Sequence, residues 1–251
     1  MSVRVRTWVY VLSAIIAFGT FMAAVGGLPP FGSFSGPYTD MLLQIATLER
    51  SVDNIPTAVN FDYRGFDTLG EEFIFFTSVV GVLFLFSSVK GAAEAHPEPM
   101  ESELHRGQTG AIRWFPIGLT AFIAALGMDL GAHGQLTPGG GFQGGAIFGG
   151  GMACIYLALG LQTFVKTAHK ETFDMLEALG AFSFAALGVA GLFIAGAFLK
   201  NIMPLGQTGA TVSGGTIYFL SCAVFVEIAC GFTILMLAFL KQTRHAEEDE
   251  G

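Results

Sequence analysis

Six apolar stretches, each close to or above the roughly 20 residues that a helix needs to cross a hydrocarbon core of about 30 Å, constrain this chain more than any other feature. They lie at about 7–28, 72–90, 113–131, 139–165, 176–199 and 216–240. So much apolar length cannot be hidden in the core of a water-soluble domain of 251 residues, and a composition of 52% hydrophobic against 13% charged residues agrees. The expected fold class is all-α, a polytopic membrane protein with about six transmembrane helices, because a helix satisfies its own backbone polar groups where there is no water.

Basic residues orient the spans. Numbered in order, Arg4, Arg6, Lys90, Arg106, Arg113, Lys166, Lys170, Lys241 and Arg244 fall on one side, and Arg50, Arg64 and Lys200 on the other. The positive-inside rule then puts both termini of this multi-pass protein in the cytoplasm. The first apolar run is too long for a signal-peptide core and no small-residue cleavage site stands out after it, so a retained first helix is expected.

Several function classes drop out. The net charge of −8 comes partly from the tail Glu247–Glu250 and the loop between Glu94 and Glu103, which are expected to be solvated ends. No basic and aromatic residues interleave as nucleic-acid binding requires. Cys154, Cys222 and Cys230 sit inside predicted spans without a Cys-x-x-Cys or His partner, so neither a disulfide framework nor a metal or cluster site is indicated. The remaining His96, His105, His169 and His245 carry no ligand spacing.

The chain divides at a polar, proline-containing stretch. The expected organisation is a two-helix segment over 1–95, a cytoplasmic linker over 96–112 and a four-helix domain with an acidic tail over 113–251. Within the long external segment 29–71, Tyr38 to Arg50 carries Met41, Leu42, Ile45 and Leu48 at helical spacing and predicts a short amphipathic helix on the membrane face. Ile55 to Phe61 is apolar but holds Pro56, and its structure stays open. In the larger half, Gly141, Gly145 and Gly149 recur four apart, which puts them on one helix face and lets a neighbouring backbone approach closely. Pro138 is expected at the start of that helix, where a missing N–H costs nothing. No Gly-Lys-Ser/Thr follows and no strand precedes the glycines, so they are not a phosphate loop.

Two strings carry a family resemblance. Phe61-Asp62-Tyr63-Arg64-Gly65-Phe66-Asp67-Thr68-Leu69-Gly70-Glu71 is similar to the D-x-R-G-F-D-T-L-G-E signature near the end of the large A subunit of Mrp-type multisubunit sodium/proton antiporters. Pro138-Gly139-Gly140-Gly141-Phe142-Gln143-Gly144-Gly145 resembles the P-G-G-G-F-x-G-G signature of the B subunit, and Ser213 to Thr216 with Glu227 to Thr233 resembles that subunit's last helix. The resemblance covers most of 50–240 and implies a B-like chain fused to a piece of the A subunit, a combination also related to subunits of membrane-bound hydrogenases. It implies an accessory membrane subunit with no cofactor of its own, sodium ion and proton as the transported species, and other antiporter-module subunits as partners beside the lipid bilayer. The alternative is a subunit of a redox-driven complex with hydrogenase-like or respiratory partners. Neither makes this chain an enzyme.

The charges in and beside the spans are the candidate ion or proton path. Glu227 lies midway along the last span, where a carboxylate costs about 2.5–3.5 kcal/mol, so it faces protein or water. It either packs as a hydrogen-bonded acid or binds a cation or relays protons. Glu71 and Glu72 serve either as first-turn acids of a Thr68-Leu69-Gly70-Glu71 capping box or as a cation entrance. Asp62, Arg64 and Asp67 are one local ion-pair group at Gly65, a charged vestibule, or both. Asp129 and His133, four apart, can meet on one face as a relay or as a surface pair. Lys200 is expected at the outer end of the fifth span, reaching the headgroups.

Overall fold

The computed structural model describes residues 3–28, 32, 36–87 and 110–250, in two compact units, 1–42 and 43–251. The linker expected at 96–112 lies, up to residue 109, outside the described residues. In the first unit α1 (Val3–Gly26) is apolar beyond Arg4, Arg6 and Thr7 and exposes side chains such as Trp8, Ile15 and Phe18, as a helix made for lipid or for another chain does. Next comes α2 (Pro37–Arg50), the amphipathic helix expected from Tyr38; proline at its first position removes an N–H that has no intrahelical partner.

In the second unit α3 (Ile55–Ala58) runs directly into a turn of π-helix (Val59–Tyr63), and after Arg64 the chain enters α4 (Gly65–Ser87). The stretch left open around Pro56 is therefore helical, with the proline in the first turn. Four helices follow: α5 (Gly110–Ala132), α6 (Gly141–Thr167), α7 (Lys170–Ala195) and α8 (Thr216–Glu250). Six helices are long and apolar enough to cross a membrane, and no strand occurs among the described residues.

Boundaries move in three places that matter for the site. α4 begins at Gly65, seven residues before the expected 72, because Arg64 and the π-turn feed straight into it. α7 begins at Lys170 instead of 176 and ends at Ala195 instead of 199, where Gly196 takes the left-handed conformation that commonly stops a helix. α6 opens at Gly141, so Pro138 is not its first residue but stands three residues ahead, in the connection.

α8 is the central post. α6, α7 and α4 pack on it. Of its best apolar window 56% is buried, against 11% for α4 and α5, whose other faces are left for lipid or partner chains. Glycine makes this packing close. A Cβ on Gly141 would lie 2.8 Å from the Phe225 amide nitrogen and the Val224 Cβ, one on Gly145 2.8 Å from the Ile228 Cβ, and one on Gly149 2.8 Å from the Phe232 Cβ, all on α8. α6 has a second such face: a Cβ on Gly144 would sit 2.5 Å from the Gly127 carbonyl of α5.

Candidate functional site

Three glutamates from three helices are buried: Glu72 of α4, Glu177 of α7 and Glu227 of α8 are 2%, 3% and 0% exposed. The early start of α4 explains the first. Neighbours on an α-helix point about 100° apart, so Glu71 is exposed while Glu72 turns inward. The capping-box reading fails here, since Thr68 is already inside the helix and donates its hydroxyl to the Asn60 carbonyl at 2.7 Å; Glu71 and Glu72 lie beyond the first turn, whose acid is Asp67.

The Glu72 and Glu227 carboxyl groups approach each other closely enough to interact. Neither oxygen of Glu227 nor Oε2 of Glu72 has an aligned hydrogen-bond partner, and no Lys or Arg ion pair reaches them among the described residues. A buried carboxylate without a counter-charge costs several kcal/mol, so this arrangement calls for bound protons or a cation. Glu177 completes the group where α7 and α8 touch. A Cβ on Gly180 would lie 2.7 Å from the Glu227 amide nitrogen, and Glu177 Oε1 lies 2.9 Å from where a Cβ on Gly231 would stand. Sequence reasoning gave Glu177 no role, because a span placed at 176–199 leaves it at the rim. The signal was present in Lys170, Asp174 and Glu177, spaced four and three apart on one helix face.

A cavity of about 530 Å³ leads to Glu72 from the exposed Glu71, walled by Asn54, Thr57 and Asn60 on one side and by 138–143 on the other. Its loop is held by polar bonds: Asn54 Nδ2 donates to the carbonyls of Gly134 (2.7 Å) and Thr137 (2.8 Å), and Thr57 donates to Gly134 at 2.6 Å. Gly139 (φ +136°) and Gly140 (φ +152°) adopt a backbone that side-chain-bearing residues rarely take, which lets bare backbone line the cavity.

The other acidic candidates lie apart from the buried glutamates. Asp62 does not join Arg64 and Asp67 in one group: Arg64 pairs with Asp67, while Asp62 Oδ2 lies 2.7 Å from Arg50 Nε. Arg50 also stacks on Tyr63, 4.9 Å from the ring centre. Asp62 borders a second cavity of about 240 Å³ with Arg50, Lys200 and Asn201. Burial pushes its carboxyl up from the ordinary carboxylate range, against the opposing pull of Arg50, Asn201 and Lys200. Tyr63 donates to Glu49 Oε2 at 2.9 Å, and burial together with that bond pushes its phenol up to about 12. His133 Nδ1 sits 2.8 Å from Asp129 Oδ1, and the Asp129 side chain is 62% exposed. No hydrogen bond or ion pair joins that pair to the glutamates among the described residues.

The comparisons with known proteins agree on one architecture. A family model described as a domain related to the MnhB subunit of Na+/H+ antiporter matches residues 112–234. An uncharacterized protein of Methanocaldococcus jannaschii is 31% identical over 200 residues, which cover 72% of this chain and 75% of that one. A chain of the membrane-bound sulfane sulfur reductase, an archaeal respiratory membrane complex, superposes with a TM-score of 0.72 at 26% identity over 93% of this chain and 98% of its own. A chain of the Mrp complex from Dietzia sp. DQ12-45-1b gives a TM-score of 0.71 at 24% identity and covers 96% of this chain but 26% of that one. The latter likeness is one of fold alone, and it places both halves of this architecture within a single longer polypeptide. Residues 112–234 thus carry a domain related to the MnhB subunit of Na+/H+ antiporter, and the chain belongs to one family with the M. jannaschii protein.

Proposed function

We propose that this chain is an accessory membrane subunit of an Mrp-type sodium/proton antiporter module and that Glu72 and Glu227 lie on its ion or proton path. The observation that carries this reading is the meeting of two buried carboxyl groups on different helices, with no Lys or Arg paired to them among the described residues, the first of which, Glu72, lines a cavity that also reaches Glu71. Acids inside membrane spans are expensive, and a polar cavity leading to them gives a reason to keep them. Glu71 supplies negative charge at the entrance, while Asp67 is paired with Arg64 and Asp62 with Arg50. Asp129 and His133 would act as a separate proton-exchanging pair.

The module is incomplete in this chain alone. α1 and the exposed faces of α4 and α5 are suited to partner subunits as well as to lipid. The excess of Lys and Arg on one side supports cytoplasmic termini in a prokaryotic cell membrane. A second reading, a subunit of a redox-driven respiratory complex carrying the same module, is favoured by the structural match that covers 98% of the sulfane sulfur reductase chain. In either setting redox chemistry would belong to partner subunits.

The test is sodium-dependent proton flux in vesicles holding the assembled complex, with Glu227→Gln compared at equal subunit content. A loss of at least tenfold is expected. Wild-type flux in the assembled variant would return Glu227 to a packing role.

A further inference from the structure

We propose that Glu177 carries protons between Glu227 and the end of the bundle marked by Lys170, with Asp174 as the next carboxyl. This rests on the reading of Glu72 and Glu227 given above and extends it to the opposite side of the membrane.

Topology places the two ends. The cavity at Glu72 is also lined by Gly141, the first residue of α6. α6 then crosses to Thr167, and α7 starts at Lys170, so Lys170 stands at the end opposite the cavity. Glu72 is seven residues into α4, about 10 Å at 1.5 Å per residue, and Glu177 is seven residues into α7, about 10 Å from the other end. Glu227, eleven residues into α8 or about 16 Å, falls between them. In a hydrocarbon core of about 30 Å the three acids form a staircase with no step left to bare lipid.

The surroundings of Glu177 suit a carrier better than a packing group. It is 3% exposed, and its Oε1 is buried without a hydrogen-bond partner. It faces the bare backbone at Gly231, one helical turn, about 6 Å, along α8 from Glu227. One turn back on the same face of α7, Asp174 is held by Lys170, whose Nζ lies 2.5 Å from Oδ2. The other oxygen, Oδ1, is buried and has no partner, so it is available to take the proton from Glu177. The proton leaves the Glu177 carboxylic acid, Asp174 receives it, and release to water on the Lys170 side restores both carboxylates.

The experiment uses the assembled complex in vesicles, with sodium-dependent proton flux and labelling of Glu227 by dicyclohexylcarbodiimide in the presence and absence of sodium. Glu177→Gln is expected to lower flux at least tenfold with assembly intact, while sodium-protected labelling of Glu227 from the cavity side persists. Asp174→Asn is expected to lower flux at least threefold with the same labelling. Flux within twofold of wild type in assembled Glu177→Gln would overturn the proposal, as would loss of both flux and labelling, which marks a packing role. Should Glu177→Gln fail to assemble, Asp174→Asn decides: reduced flux with labelling kept supports the proposal, and wild-type flux overturns it. Retained flux in Glu227→Gln would instead overturn the reading on which the proposal rests.

Discussion

Gly141→Ala tests how tightly α6 is clamped. The added methyl would stand 2.8 Å from both the Phe225 amide nitrogen and the Val224 Cβ, and closer still to the Ser221 carbonyl oxygen. Ordinary van der Waals contact begins near 3.4 Å, so α6 must retreat from α8 by more than about half an ångström. Retreat is blocked on the far side, because Gly144 already lies against α5, where its own absent Cβ would meet the Gly127 carbonyl at 2.5 Å. Overpacking of a rigid contact costs about 1–3 kcal/mol, and a clash with backbone that cannot rotate away belongs at the upper end. Gly150→Ala is the control, since nothing lies within 4 Å of its Cβ position and alanine in a helix interior gains up to about 1 kcal/mol over glycine. Reversible unfolding in mixed micelles, followed by circular dichroism against the mole fraction of denaturing detergent, should separate the two variants by about 2–4 kcal/mol. A Gly141→Ala protein as stable as the wild type would refute the close-packing argument for this glycine face.

The first turn of α8 and the Arg50 region offer two further checks. Asn201→Ala removes an acceptor for the Thr216 amide (2.9 Å) and a donor to the Gly214 carbonyl (2.8 Å), and should cost about 1–2 kcal/mol in thermal or detergent unfolding. Tyr63 should be the tyrosine whose phenolate appears near pH 12 in an absorbance titration, and Tyr63→Phe should abolish that late component. Its sign in stability follows directly. The folded phenol keeps its proton where the unfolded one has lost it, so the contribution is full below about pH 10 and disappears as pH rises from about 10 to about 12.

Apolar period and length were enough to find the spans, because the cost of leaving backbone unpaired in hydrocarbon admits few alternatives to a helix. The same logic made Glu227 legible: an acid in the middle of a long apolar run stands out without any partner being known. Glu72 was legible only as half of a pair with Glu71. Which of the two turned inward depended on where α4 began, and the π-turn at Val59–Tyr63 moved that start by two helical turns. Glu177 was missed, since the span was expected to begin at 176 and left it at the rim, while the helix in fact starts at Lys170.

The sequence by itself determined the membrane class, the six helices and the presence of an unusual mid-span acid, each of which follows from local composition and the periodicity of one segment. Only the tertiary structure decided that Glu72 meets Glu227, that Glu177 is buried against α8 at Gly231, that Asp62 belongs to Arg50 and not to Arg64, and that a cavity opens to Glu72. The physical reason is that these are contacts between segments up to about 150 residues apart, set by the small glycine surfaces through which α4, α6 and α7 close upon α8.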